Sequence, residues 1–426
     1  MDVIIENVRC FAGRHLVPIT PLTLIVGENS TGKTTFLSVV STVCRSNRFP
    51  GRHGFNDPPF DLGGYDSVAT LDLSSGRLAP YFRIGFAEGS EEDATETVAT
   101  YEGHHGQIRF HSIETTGRYG RFRLEQVSES DFELLMRVRT HGRDKQDKSF
   151  TLELPKQFDL SASSLPNLLF VSRKLVDEID PTDLRSALKL LHAASWLQKE
   201  VLPVAPIRTR PFRTYDQFTD EFLPGGEHVP MMLASLLCLE ESRKKRDHLM
   251  GALERFGTDS GLFESVSVTQ LGKESRPPFQ VKVTIAGRKV NLADVGYGVS
   301  QSLPIVVQSL LSSPQSLLLL QQPEVHLHPK AQAALGTLFA ALSRDNAWFI
   351  VETHSDYLVD RVRQEVGRGS ISPHDVSILF FDKEGASTRV YPLSLDERGD
   401  IVDAPPQYRA FFLEEGLNLL AAGGGT

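Results

Sequence analysis

The chain has few cysteines and no stretch that is long and apolar enough to cross a membrane. Its three cysteines, Cys10, Cys44 and Cys238, are odd in number and widely spaced, which argues against a disulfide framework. None of them has a partner at the spacing of a zinc site. Apolar runs of about 18 residues are absent, and residues 1–6 have the pattern of a strand rather than of a signal peptide. We therefore expect a cytoplasmic location and no membrane partner.

Positive charge is also in short supply. The chain has 45 lysines and arginines against 54 aspartates and glutamates, which gives a net charge of −9. Proteins that bind nucleic acid usually carry a basic excess or a basic stripe, so DNA is a partner that the sequence allows but the charge does not indicate. The best candidate patch comprises Arg208, Arg210 and Arg213, with Phe212 and Tyr215 between them. A solvated or partner-facing loop is the simpler interpretation of these residues.

Composition and length favour a globular α/β protein of two or three units. The hydrophobic fraction is 40% and the charged fraction 23%, both ordinary for such proteins, and 426 residues exceed one typical core. Residues 1–160 are predicted to form an N-terminal lobe with an antiparallel β subdomain, because apolar and polar residues alternate there. Residues 161–260 have helical periodicity and predict a helical insertion. In residues 261–426 helices and strands alternate, which predicts a parallel sheet.

A phosphate-binding loop is present in full. The pattern G-x-x-x-x-G-K-[ST] is matched by Gly27, Glu28, Asn29, Ser30, Thr31, Gly32, Lys33 and Thr34, and Thr35 follows. An apolar strand, 22–26, precedes the loop and a helical pattern follows it, so a chance match in a glycine turn is the weaker interpretation. Such a loop binds phosphates with its backbone N–H groups, while Lys33 reaches the β- and γ-phosphates and the Thr34 hydroxyl binds Mg²⁺. ATP and Mg²⁺ are the predicted cofactors.

A second motif lies near residue 320. Four leucines, 317–320, are followed by Gln321, Gln322, a proline and Glu324, the shape of a Walker B strand that ends in polar side chains. The sequence V-H-L-H-P at 325–329 comes next. Together these residues resemble the E-E-P-E-x-H-L-H-P box of the SMC, RecF and OLD-like group of ABC-type ATPases. The resemblance implies a P-loop ABC-type ATPase head, with the β lobe and the helical insertion added to it.

Two further segments agree with that group. The segment ahead of the Walker B strand lies where the group has its signature motif, although Gly296 stands in the place of the usual serine. The resemblance implies that Gly296, Gly298 and Ser300 contact the γ-phosphate of an ATP bound to another subunit. His354, in a Thr-His-Ser sequence after an apolar strand, resembles the switch histidine that hydrogen-bonds the γ-phosphate. The order of these motifs along the chain is that of ABC ATPases.

The Walker B segment departs from the group at two positions. Gln321 stands in the place of the Mg²⁺-binding acid, beside Thr34 in the implied metal site, and Gln322 stands in the place of the catalytic glutamate. A glutamine amide keeps an oxygen atom but cannot take a proton from water. The sequence therefore predicts ATP binding with slow hydrolysis, unless Glu324 or Glu352 supplies the missing acid.

The resemblance also implies a biological role. ATPases of this group form a homodimer or a higher oligomer through their ATP sites, and the compact bacterial members act in phage defence, where they restrain or release an effector. The segment after His354 is too short for the Toprim nuclease domain of OLD proteins, so we expect an effector protein supplied in trans. Two alternatives remain open, namely a catalytically weak ATP-bound scaffold or switch and a DNA-repair ATPase similar to RecF.

Overall fold

The structure is a computed structural model, and it describes residues 1–45, 49–50, 54–89, 94–128, 131–138, 148–153, 199–216, 221–239, 243–273, 277–345 and 347–410. The strands are β1 (Asp2–Val8), β2 (Phe11–Pro18), β3 (Leu22–Gly27), β4 (Leu71–Asp72), β5 (Arg77–Leu78), β6 (Tyr81–Glu88), β7 (Thr95–His104), β8 (Gln107–Gly117), β9 (Gly120–Gln126), β10 (Phe132–Val138), β11 (Lys148–Glu153), β12 (Glu200–Val204), β13 (Ser265–Gln270), β14 (Phe279–Ile285), β15 (Arg288–Asn291), β16 (Ser316–Gln321), β17 (Trp348–Glu352), β18 (Val376–Glu384), β19 (Ser387–Leu395) and β20 (Ile401–Val402). The α-helices are α1 (Lys33–Cys44), α2 (Tyr65–Val68), α3 (Val229–Ala234), α4 (Arg243–Ser260), α5 (Tyr297–Leu311), α6 (Pro329–Arg344) and α7 (Asp356–Gly367).

The central sheet has the strand order β12-β16-β17-β3-β18-β19-β20. Its first five strands are parallel, which confirms the prediction from the alternation of helices and strands. The last two pair antiparallel with their neighbours. For β19, a tight hairpin at Gly385, with φ of 65°, returns the chain at once and leaves no room for a crossover helix. The carboxyl ends of β16, β17 and β3 therefore lie side by side at one edge.

The larger sheet is antiparallel throughout. Its order is β11-β10-β9-β8-β7-β6-β1-β2, and the predicted antiparallel β lobe is thereby confirmed. The alternation that predicted it has a direct cause, since the side chains of Phe82, Ile84 and Phe86 of β6 are buried in the core, while Tyr81, Arg83 and Ala87 are only partly buried. The strand β1 joins this sheet instead of the parallel one.

The leucines of β16 divide between two hydrophobic cores. Leu317 and Leu319 pack with α1 and the antiparallel sheet, whereas Leu318 and Leu320 pack with α4 to α7 on the other face. A parallel strand buried on both faces has a continuous apolar sequence for this reason. Among the described residues, no helix is long and apolar enough to cross a membrane.

The predicted helical insertion contains a strand. Residues 154–198 lie outside the described residues, but β12, inside the predicted range 161–260, pairs in parallel with β16 and forms one edge of the central sheet. A short apolar run such as 201–204 has no periodicity that separates strand from helix, so the pattern could not reveal it. The helices α3 and α4 confirm the helical pattern further along, and the division into three domains remains a prediction.

Candidate functional site

Backbone geometry explains the two glycines of the phosphate-binding loop. Gly27 has a φ of 142°, and a Cβ there would lie 2.3 Å from the carbonyl oxygen of Phe381. Gly32 has a φ of 89°, and a Cβ there would lie 2.5 Å from the sulfur of Cys10. Only glycine fits such positions. Between them, Ser30 also has a positive φ, 62°, and turns of this kind form concave nests of N–H groups that bind anions.

Lys33 lies over the loop, at the start of α1. Its side chain is buried, and Nζ donates hydrogen bonds to the carbonyl oxygens of Gly27, over 3.0 Å, and of Glu28. Burial lowers the pKa of Lys33, and the negative charges of Glu352 and Glu28 oppose that effect. Thr31 is buried and donates to the Glu28 carbonyl over 2.8 Å. The loop is therefore held by its own side chains, with a cation at its centre.

The remaining loop residues differ in exposure. Glu28, Asn29 and Ser30 are exposed, and Thr34 is exposed as well. Thr35 is buried. The predicted loop residues are thus brought together in one structure, and the hydroxyl of Thr34 faces the end of the neighbouring strand β17.

A carboxylate lies at that strand end. Glu352 is the last residue of β17 and only 5% exposed, and its Oε2 accepts a hydrogen bond from the Thr34 hydroxyl over 3.3 Å. Gln321, the last residue of β16, is its partner in the parallel register. Burial raises the pKa of Glu352, while Lys33, Thr34 and Gln321 oppose the rise. Groups from three separate elements therefore meet at one point.

The other two predicted catalytic side chains of this edge lie beyond Gln321. Gln322 has a φ of 44°, and its N–H donates to the carbonyl oxygen of Glu352 over 2.8 Å. Glu324 is buried, which raises its pKa, and its Oε1 accepts a hydrogen bond from the backbone N–H of His354 over 2.7 Å. The imidazole of His354 is exposed, and partial burial and the charge of Lys33 lower its pKa. Glu324 thus holds the turn that carries His354.

The signature segment forms an exposed turn. Gly296 caps the N-terminus of α5 and has open space around its Cα, while Tyr297 is 60% exposed and lies against the ring of His326 at 5.4 Å. Gly298 approaches the His326 carbonyl closely. Ser300 differs, because it is buried and its hydroxyl lies within 3.5 Å of the Gly296 carbonyl oxygen of its own helix. Among the described residues, no hydrogen bond joins this segment to the P-loop.

Arg208 is a site residue that the sequence did not reveal. The sequence analysis placed it in an exposed loop or patch, and this was wrong, since Arg208 is only 3% exposed. Its guanidinium donates to the carbonyl oxygens of Gln322, over 3.2 Å, and of Pro206, over 2.9 Å. Gln301 of α5 bonds its backbone. Burial lowers the pKa of Arg208 to about 10, opposed by Glu324. The loop folds under the signature helix, which no local pattern predicts.

A cavity of about 550 Å³ opens beside the loop. Its lining includes Glu28, His354 and, from the C-terminal part of the described chain, Arg409. Arg409 forms ion pairs with Asp356, at 3.1 Å, and Asp360, at 2.9 Å, both in α7. The sequence contained no signal for this contact. His354 therefore borders open space and not packed protein.

The side chains present fit Mg²⁺ and ATP. In the described part of the chain, no three His, Cys, Asp or Glu side chains form a group that could hold a metal ion by themselves. Mg²⁺ at nucleotide sites does not need such a group, since it binds one or two protein oxygens together with the phosphates. The hydroxyl of Thr34, the carboxylate of Glu352 and the amide of Gln321 are oxygen donors of that kind.

Two protein-family models match the chain. One is described as "AAA domain" and matches residues 2–199, which include the P-loop. The other is described as "AAA domain, putative AbiEii toxin, Type IV TA system" and matches residues 279–360, which include the signature, Walker B and switch segments. The two ranges show that the chain contains AAA-domain sequence, with the P-loop in the first of them.

Several solved structures resemble the ATPase distantly. An Smc head bound to the C-winged helix domain of ScpA is 12% identical, with a TM-score of 0.46, and the match covers 93% of this chain and 98% of that one. An Smc head from Pyrococcus furiosus, bound to the C-terminal domain of ScpA, is 11% identical, with a TM-score of 0.43 and coverage of 99% and 98%. The SMC head from Thermotoga maritima is 9% identical, with a TM-score of 0.40 and coverage of 92% and 98%. Similarity this low supports no functional conclusion. A search of the curated proteins found no match.

Proposed function

We propose that this ATPase is a nucleotide-dependent switch. It binds Mg²⁺–ATP, closes with a second copy of itself around the nucleotides, and controls an effector protein in anti-phage defence. The observation that carries the proposal is the convergence of Lys33, Thr34, Glu352 and His354 at the carboxyl edge of the central sheet. These residues bring a cation, a hydroxyl, a carboxylate and an imidazole to one phosphate-binding loop.

Each group has a task in nucleotide binding. The N–H groups of the loop bind the phosphates, and Lys33 adds a positive charge to them. Thr34 offers a hydroxyl to Mg²⁺, which neutralises phosphate charge when it is bound. His354 is exposed, and partial burial and the positive charge of Lys33 lower its pKa. We assign to its imidazole the hydrogen bond to the terminal phosphate. ATP and ADP then differ by the one phosphate that the switch turn contacts.

Closure with a second copy is supported by the signature turn. Gly296 and Tyr297 are exposed at the start of α5, and Tyr297 packs on the loop that follows the Walker B strand. A helix N-terminus of this kind favours an anion. The turn makes no hydrogen bond to the loop of its own chain, so we assign it to the nucleotide of the partner copy. The homodimer or higher oligomer would form through these sites.

The effector and the role in defence have indirect support. The matching model over residues 279–360 carries the name of a toxin in its description, and the parts of this chain that contain motifs all belong to the nucleotide site. The toxic or nuclease activity is therefore assigned to another protein, acting in trans.

A second candidate function is favoured by Gln321 and Gln322. With amides at the two positions where the Walker B sequence has acids, the protein would retain ATP and hydrolyse it little, and ATP would act as part of the interface. Steady-state hydrolysis with Mg²⁺, with Lys33→Ala as the blank, separates the two functions. Turnover above the blank supports the ATPase cycle, whereas ATP retention without turnover supports the scaffold.

Dimerisation is tested by light scattering with and without ATP. We expect the mass of the wild-type protein to double with ATP and that of Lys33→Ala to stay unchanged. If Lys33→Ala dimerises with ATP as well as the parent does, the switch mechanism is wrong.

For the biological role, plaque assays in bacteria that express the ATPase with its neighbouring genes should show protection that Lys33→Ala abolishes. Equal protection by both proteins would contradict the role.

A further inference from the structure

The Walker B strand lacks its acid, but an acid lies one strand away. Gln321 and Glu352 end the adjacent parallel strands β16 and β17 and are partners in the register. Glu352 accepts the hydroxyl of Thr34 over 3.3 Å, which is the residue that the P-loop offers to Mg²⁺. The structure therefore has a buried carboxylate, Glu352, at this edge. It contacts Thr34, and a Mg²⁺-binding acid has to lie beside that residue to share the ion with it.

Gln321 suits a neighbour that carries the charge. Residues opposite each other on adjacent strands are about 5 Å apart, and like charges at that distance repel. A glutamate at 321 would therefore oppose the charge of Glu352. Burial raises the pKa of that carboxyl, whereas the neutral side chain of Gln321 lowers it. The Gln321–Glu352 pair carries one negative charge. A pair with the acid on β16 and a neutral residue on β17 would carry the same charge.

Glu324 is the other buried acid near the site, and its contacts differ. Its Oε1 accepts from the backbone N–H of His354 over 2.7 Å, and burial raises its pKa while the charge of Arg208 lowers it. It is not hydrogen-bonded to Thr34. Glu352, in contrast, is acted on by Lys33 and bonded to Thr34. The geometry separates the two acids, with Glu352 on the metal side and Glu324 supporting the switch turn.

We propose that Glu352 takes the place of the missing Walker B acid as the protein's anionic contact to the Mg²⁺ of bound ATP, with Gln321 as its positioning residue. This inference rests on the proposed function, because it needs ATP in the P-loop. Carboxylate oxygen is a preferred ligand of Mg²⁺, and one carboxylate with substrate phosphates is a common arrangement. In this arrangement the carboxylate lies on β17 and not on β16, and the sheet edge still carries one negative charge.

The test measures the affinity for a fluorescent ATP analogue, with Mg²⁺ and with EDTA. Mg²⁺ should tighten binding to the wild-type protein, and Glu352→Gln should lose on the order of 10-fold or more of that gain, while its affinity in EDTA is retained. The double variant Gln321→Glu with Glu352→Gln returns the acid to β16 and should recover the gain. Glu365→Gln is the matched control, since Glu365 is a buried acid of α7 that bonds Thr337 and Arg368, and it should behave as the wild type does.

Three results would overturn the inference. The first is an unchanged Mg²⁺ gain in Glu352→Gln. The second is a double variant that is as insensitive to Mg²⁺ as Glu352→Gln, and the third is loss of the gain in Glu324→Gln but not in Glu352→Gln. Failure of the proposed function is distinguishable, because in that case the wild-type protein would not bind the analogue at all.

Discussion

The P-loop and the edge formed by β16 and β17 meet where Thr34 bonds Glu352, but they are built in different ways. The P-loop is one continuous segment, and Gly27 and Gly32 fix its shape through their positive φ angles. The edge is assembled from separate segments, and the bond from Thr34 to Glu352 spans 318 positions of the chain. The loop has its motif in full, whereas the edge has glutamines at 321 and 322, where the resemblance implies acids. A dispersed site can move a charge between neighbouring strands, while a continuous loop cannot.

The two regions also balance each other's charge. Burial lowers the pKa of Lys33 and raises the pKa of Glu352, and each charge opposes the shift of the other. Neither group would remain charged as easily if it were buried alone. The comparison therefore predicts that changes to the loop and to the edge will differ in kind, with loss of ATP binding in one case and loss of the Mg²⁺ effect in the other.

The largest effect is expected when the loop loses its cation. Lys33→Ala should weaken ATP binding on the order of 100-fold, because about 3 kcal/mol of charge-assisted hydrogen bonding to the phosphates is removed. Isothermal titration calorimetry measures the change. Lys289→Ala, at an exposed position of β15, is the control and should bind ATP normally. Normal binding by Lys33→Ala would show that the loop is not the nucleotide site.

Arg208 offers a way to disturb the edge without touching the loop. Arg208→Met leaves the carbonyl oxygens of Gln322 and Pro206 without their donor, and we expect a loss of about 2–3 kcal/mol in the free energy of unfolding. Urea unfolding measures it, with Arg210→Met at an exposed position as the control, expected within about 0.5 kcal/mol of the wild type. Equal stability of the two variants would mean that Arg208 is not a structural part of the edge.

A smaller effect on stability is expected at Gly32 of the P-loop. Comparison with Gly287 separates the backbone strain of a positive φ from the close contact of an added Cβ. Gly32→Ala forces a positive φ and places its Cβ against Cys10, so we expect a loss of about 1–3 kcal/mol in the free energy of unfolding and weaker ATP binding. Gly287→Ala has a φ of 72° with open space around it, and should show the strain without the clash. If both variants lose the same stability, contact with Cys10 contributes nothing.

The smallest effect concerns a buried histidine outside both regions. His228 Nδ1 accepts from the N–H of Leu223, over 3.1 Å, so Nε2 carries the proton and donates to Gln308, over 2.9 Å. Burial lowers the pKa of His228, and the unfolded chain therefore binds the proton more readily. Neutral His228 contributes to stability at pH values above the pKa of the unfolded chain, about 6.5. This contribution is lost as the pH falls from there through the pKa of the folded protein.

Urea midpoints between pH 5 and pH 8 test this effect. The wild-type midpoint should decline toward the acid end, and the decline should be shallower in His228→Gln. An equal decline in both proteins would place the proton-linked step elsewhere, and the buried carboxylates of the edge would be the next groups to examine.

Much of the fold could be predicted because local patterns were strong. The strands β3, β16 and β17 and the helix α1 lie where apolar runs and the helical pattern predicted them. The strand β12 was missed, since four apolar residues fit a strand or a helix equally well. Arg208 was placed at the surface because arginine-rich loops usually are solvated, and only its packing beneath α5 shows otherwise.

By itself the sequence determined the P-loop motif and the two glutamines that follow the four leucines, because each is a short run of adjacent residues. The tertiary structure decided that Gln321 faces Glu352, that Glu352 reaches Thr34 and that Glu324 holds the turn of His354. Those contacts depend on which strands become neighbours and in which register. Long-range burial of the two cores sets both, and no local pattern encodes them.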